Sequence, residues 1–162
     1  MTVVSDTSPL SALASIHHLD LLPELFGEIT VPTAVIAECL HEGAPEILRK
    51  WAMSPPPWVR VVSPQGGPPH ELGSLDPGET AAIMIAMKSQ SPVLLLMDER
   101  AGVKAAERLG IAYVGTLGLL VKAHLMGLLD FESALEALRT TDFRLGNAVI
   151  HRAREVIEKG MH

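Results

Sequence analysis

Two short apolar runs in this chain each end on an acid: Thr2-Val3-Val4-Ser5 runs into Asp6, and Val93-Leu94-Leu95-Leu96-Met97 runs into Asp98. Runs of this length, bounded by turn signals, fit buried strands of a parallel sheet flanked by helices. Both carboxylates then stand at strand carboxyl ends. Open α/β sheets bind their ligands at that edge, where the strand order reverses. A pair of acids delivered there suggests a metal site.

The rest of the chain alternates in the same way. Ser8-Pro9-Leu10 reads as a cap followed by proline at the first position of a helix, and a second short helix runs through Leu19, Leu22, Leu25 and Phe26. Glu28 to Val31 reads as a strand, Thr33 to Leu40 as a helix, Glu46 to Met53 as a helix stopped by Pro55-Pro56-Pro57, and Trp58 to Val62 as a strand. Ser63 to Leu75 shows no periodicity and is expected to be a mobile loop. Asp76-Pro77-Gly78-Glu79 has the spacing of a capping box and opens an apolar helix leading to the strand that ends at Asp98. A helix from Arg100 to Leu109, a strand from Ile111 to Val114, and helices over 116–126, 131–140 and 146–159 complete the pattern. The expectation is one α/β domain over residues 1–162, with the C-terminal helices of about 131–159 packed on or extending it.

Composition narrows the functions. The single Cys39 excludes an internal disulfide framework and multi-cysteine metal sites, and fits a reducing, cytoplasmic compartment. No apolar stretch approaches the ~20 residues needed to cross a bilayer, and no signal peptide is expected at the N-terminus. Aromatic residues make up 4% of the chain, which leaves few rings for stacking on bases, so nucleic-acid contact must rely on backbone chemistry. A net charge of −6 and pI ≈ 5.6 argue against binding nucleic acid by bulk electrostatics. That argument weakens if part of the negative charge is a cation-binding cluster. Basic residues gather late, at Arg139, Arg144, Arg152, Arg154 and Lys159, as a phosphate-contacting face or as a solvated helix surface.

In a βα sheet the starts of helices share the edge with the ends of strands, so Glu79 and Glu38 are placed to approach Asp6 and Asp98. Four converging carboxylates repel and desolvate one another unless a cation or shared protons compensate. Hard oxygen ligands favour Mg²⁺ or Mn²⁺, which can polarise a phosphoryl oxygen and help generate hydroxide from water. Each acid also has a structural reading. Asp6 and Asp98 can cap the helices that follow, Glu79 can serve only the capping box, and Glu38 can be a surface acid with Glu42 as its competitor. Accessory candidates are Ser8, near enough to bond a carboxylate; Glu99, as an outer base; and Thr116, whose backbone N–H can meet a phosphate. Each of these too has a duller alternative. The seven histidines lack paired ligand spacing, and no P-loop or G-x-G-x-x-G motif is present. An aspartate-nucleophile phosphatase is disfavoured because Ser8 stands where a second acid is usual.

The combination Asp6-Thr7-Ser8-Pro9-Leu10, Pro32 to Glu38, Leu75 to Ile83, Asp98-Glu99-Arg100 and Gly115 to Leu120 resembles PIN-domain nucleases, most of all the VapC-related prokaryotic branch. The likeness spans roughly residues 3 to 145. It implies a three-layer α/β/α fold with a five-stranded parallel sheet in the order 3-2-1-4-5. It also implies that Asp6, Glu38, Glu79 and Asp98 bind Mg²⁺ or Mn²⁺ and cleave RNA. Partners implied by the resemblance are an RNA substrate, a small antitoxin protein and a second copy in a homodimer, for which the apolar helices from Leu10 to Phe26 offer a surface. Where relatives commonly carry two aspartates before arginine, this chain has Asp98-Glu99-Arg100, and Val103 stands where a basic residue is frequent. The alternative is a PIN-like protein that binds nucleic acid or protein without turnover.

Overall fold

β1 (Thr2–Ser5) lies at the centre of the sheet, where Val3 and Val4 fill opposite faces and three of its four residues are buried. A computed structural model describes residues 1–160. On one side of β1 lie β2 (Ile29–Pro32) and then β3 (Val59–Val62); on the other lie β4 (Val93–Leu96) and β5 (Ala112–Val114). All four pairings are parallel, and the order is the expected 3-2-1-4-5. β1 and β4 run in register from Thr2↔Val93 to Ser5↔Leu96. Their carboxyl ends therefore emerge side by side where the winding reverses.

Alternation along the central strands divides the interior into two layers. Val3 and Leu96 face a large cluster with Leu10, Leu13, Leu22, Leu120 and Phe131, whereas Val4, Leu95 and Met97 face a smaller one with Ala82, Ile83 and Ala105. The large layer is built by α1 (Thr7–Ser15), α2 (Leu21–Phe26), α3 (Thr33–Cys39), α4 (Glu46–Met53), α7 (Thr116–Leu125), α8 (Phe131–Arg139) and α9 (Asn147–Gly160). α5 (Pro77–Lys88) and α6 (Arg100–Arg108) cover the other face. Ile150 and Ala153 of α9 are buried in the same cluster as α1. No helix among the described residues is long and apolar enough to cross a membrane.

Three local expectations change. α1 begins at Thr7 rather than after Ser8, with Asp6 in the capping position and Pro9 third in the helix. Proline is tolerated there because an amide in the first turn has no intrahelical acceptor anyway. Within 63–75, His70–Leu72 form a 3₁₀ turn whose Leu72 is buried against the α5 layer, so an apolar anchor fastens a segment read as a mobile loop. Leu10, Leu13, Leu19 and Leu22 are buried in the protomer's own core, so α1 and α2 do not offer those side chains to a second copy.

Candidate metal centre

Asp6 is carried to the reversal point by an extension of the sheet, its N–H donating to the Leu96 carbonyl at 2.9 Å. It is 3% exposed. Although it occupies the capping position of α1, its carboxylate makes no capping hydrogen bond to the second or third amide of that helix, which weighs against the structural reading. Glu38 arrives from the second turn of α3 and accepts a hydrogen bond from the Thr7 hydroxyl. Asp76 arrives as the N-cap of α5. One carboxylate oxygen from each of Asp6, Glu38 and Asp76 lies within 4.8 Å of the others, with Asp6 buried, Glu38 half-buried and Asp76 exposed.

Burial pushes the Asp6 carboxyl up to about 8, and Asp76, Glu79 and Glu38 add repulsion while the Thr7 amide opposes it. The same surroundings push the buried Cys39 thiol up to about 12, through burial first and then Glu38 and Asp6. A thiol held that high is a packing group rather than a nucleophile. Three acids drawn from separate elements, with no cationic side chain of the protein paired to any of them among the described residues, form an all-oxygen donor set that fits a hard divalent cation. Close to Glu38 a side chain on the neighbouring backbone would have to displace the carboxylate. A β-carbon on Gly78 would lie 2.8 Å from Glu38 Oε1 and press on Oε2 as well.

Asp98 does not cap α6, whose capping position is Glu99. It instead accepts hydrogen bonds from the Thr116 amide and the Thr116 hydroxyl, each at 2.7 Å, and from the Ser8 hydroxyl at 3.1 Å. Burial raises the Asp98 carboxyl, and these donors oppose the rise. Thr116 is fully buried, and its N–H is engaged by Asp98 rather than free for a phosphate. Ser8 likewise serves Asp98. Here too the backbone approaches closely, since a β-carbon on Gly115 would sit 2.8 Å from Asp98 Oδ1 and one of them would have to shift.

Glu79 is 5% exposed and closes the expected capping box: its N–H donates to Asp76 Oδ1 at 2.8 Å, and its Oε1 accepts from the Asp76 N–H at 3.2 Å. Its Oε2 is buried without a hydrogen-bond partner among the described residues, beside Gly102 of α6. Burial raises this carboxyl, with Asp76 and Glu99 adding repulsion. The third member of the close acid group is thus Asp76, which the sequence reading assigned only to capping. Its one sequence signal is that an N-cap at this sheet edge points a carboxylate toward the strand ends. Glu42 is exposed and is not one of the three acids of this group.

Asp6, Glu38, Asp76, Asp98 and Glu99 all line one cleft of about 850 Å³, together with Ser8 and with Arg144 from the segment after α8. Asp6 and Asp98, the two strand-end acids, therefore share one opening. Of the late basic residues, Arg154 is instead bound to Glu132 through two hydrogen bonds of 3.1 and 2.8 Å.

Comparison with known proteins agrees with this architecture. Among solved structures, a PilT N-terminus domain protein, SSO1118, from the hyperthermophilic archaeon Sulfolobus solfataricus P2 superposes with a TM-score of 0.51 at 15% identity, covering 90% of this chain and 100% of that one. That likeness speaks for the fold alone. None of the curated proteins compared matches the chain. The family model described as DUF3368: PIN domain matches residues 2–159. With that span, strand order and edge of converging acids, the chain belongs to the PIN-domain family, whose members are typically nucleases.

Proposed function

We propose that this protein is an endoribonuclease that hydrolyses RNA phosphodiester bonds with Mg²⁺ or Mn²⁺. The observation that carries the reading is the convergence of Asp6, Glu38 and Asp76 from three separate elements to within 4.8 Å. These three are the proposed ligand core, with Asp98 as the fourth acid of the same cleft. Glu79 acts through Asp76, whose backbone and side chain it holds. When bound, a divalent cation supplies charge neutralisation to the phosphodiester and lowers the pKa of water. The protein's own groups do the rest: Thr7 orients Glu38, Ser8 and Thr116 orient Asp98, and burial of Asp6 keeps solvent from screening its carboxylate.

Purified protein with Mn²⁺ is expected to cut RNA, and Asp6→Asn is expected to abolish cutting and to weaken Mn²⁺ binding in calorimetry. Equal cleavage by the variant refutes the assignment. A toxin role with a small antitoxin partner belongs to the same proposal and rests on the resemblance to the VapC-related branch. Induced expression should then arrest growth, and Asp6→Asn should not. A homodimer is proposed on the same ground, and it has to use a face other than the buried side chains of α1 and α2. Sedimentation of the pure protein tests it.

A further inference from the structure

We propose that Arg144 is a substrate-positioning residue that holds a backbone phosphate of the RNA strand next to the one being cleaved; this rests on the nuclease reading above. The cleft is lined by the acids Asp6, Glu38, Asp76, Asp98, Glu99 and Asp142, and Arg144 is the one cationic side chain among its lining residues. A strand entering such a cleft brings more than one phosphate. A cation at the ligand core offsets the charge of the phosphate beside it, but not that of its neighbour. A second fixed positive group would offset that charge, and the chain places one there.

Arg144 is exposed and makes no ion pair with any acid, Asp142 included, among the described residues. Its backbone, by contrast, is fastened. The Thr140 hydroxyl donates to the Ala137 carbonyl at 2.7 Å, the Thr141 hydroxyl donates to the Leu138 carbonyl at 2.6 Å, and the Phe143 N–H donates to the Thr141 hydroxyl at 3.2 Å. Phe143 packs against the main core. The result is an unengaged guanidinium on an anchored turn, the planar fork that matches phosphate oxygens and loses little freedom on binding. Of the five late basic residues, Arg144 alone lines the cleft. Ser11 of α1 lines it too, and its hydroxyl, without a side-chain partner among the described residues, can meet a ribose 2′-hydroxyl, the group that distinguishes RNA from DNA.

The test is binding of a short, end-labelled single-stranded RNA, read by fluorescence anisotropy with Ca²⁺ as the added cation, for the wild type, Arg144→Gln and Arg144→Lys. Arg144→Gln is expected to lose affinity by about tenfold, the scale of one charge-assisted hydrogen-bonded contact, and to flatten the logarithmic salt slope by roughly 0.7, the value for one phosphate on a single strand. Arg144→Lys keeps the salt slope and recovers part of the affinity. Calorimetric Mn²⁺ binding stays at the wild-type level in both variants, and in cleavage assays the loss appears in KM rather than kcat. RNA binding by Arg144→Gln with wild-type affinity and salt slope overturns the proposal. So does wild-type protein that binds Mn²⁺ but no RNA, and a DNA strand of the same sequence bound as tightly overturns RNA as the occupant. If the wild type binds RNA in an Arg144-dependent way yet never cuts it, hydrolysis fails and the positioning contact stands.

Discussion

At Gly78 and Gly115 the backbone stands where any side chain would strike a carboxylate of the cleft. Alanine is normally better than glycine in a helix by about 1 kcal/mol, so Gly78→Ala tests which effect wins. Thermal stability should stay near that of the wild type, while displacement of Glu38 weakens Mn²⁺ binding roughly tenfold, measured by calorimetry. Gly115→Ala acts on Asp98, whose bonds to Thr116 it stretches; a loss of about 1–3 kcal/mol is expected in denaturant titration. Asp6 gives the pH dependence. In the metal-free protein its carboxyl is raised to about 8 from an ordinary 3.8, so folding favours the protonated form. The stability this group contributes is complete below pH ~4, declines as pH rises, and is lost once pH passes ~8. Melting curves of metal-free protein should fall across that window, Asp6→Asn should flatten the fall, and Mn²⁺ added at high pH should reverse it. Asp6 and Asp98 were legible because a strand end fixes where its next side chain goes. Asp76 was not, because its local sequence is fully explained by a helix cap, and only folding reveals that the same carboxylate also faces Asp6 and Glu38.

α5 begins on a residue with two tasks, and two substitutions separate them. Asparagine caps helices as well as aspartate does, so Asp76→Asn should melt close to the wild type yet bind Mn²⁺ more weakly. Asp76→Ala loses the cap as well, about 1 kcal/mol, seen as a drop of ~2–4 °C in Tm for a chain of this size. Equal Mn²⁺ binding by wild type and Asp76→Asn would remove Asp76 from the ligand core. Among the elements, the end of α4 and the start of α5 are legible, since Pro55-Pro56-Pro57 and the Asp76-to-Glu79 box leave few alternatives. The start of α1 lies two residues before the one its proline suggests, because proline is acceptable anywhere in a first turn and does not mark which residue comes first.

The sheet order was legible from the alternation of apolar runs and helices joined to the resemblance, whereas the anchoring of Leu72 was not, since one buried side chain leaves no period to read. We propose that residues 1–162 fold as one unit, the C-terminal helices included. Phe131 is 1% exposed and shares a cluster with Leu10 and Ile150, so Phe131→Ala should cost about 3–5 kcal/mol, and calorimetry should show a single transition that truncation after residue 130 abolishes. The acids of the cleft are scattered from position 6 to position 142, and Asp98 is held by Thr116. No fragment of the polypeptide carries the chemistry by itself. Under the proposed function, a half-synthesised copy lacks residues that build the cleft, so cutting waits for completion of the chain.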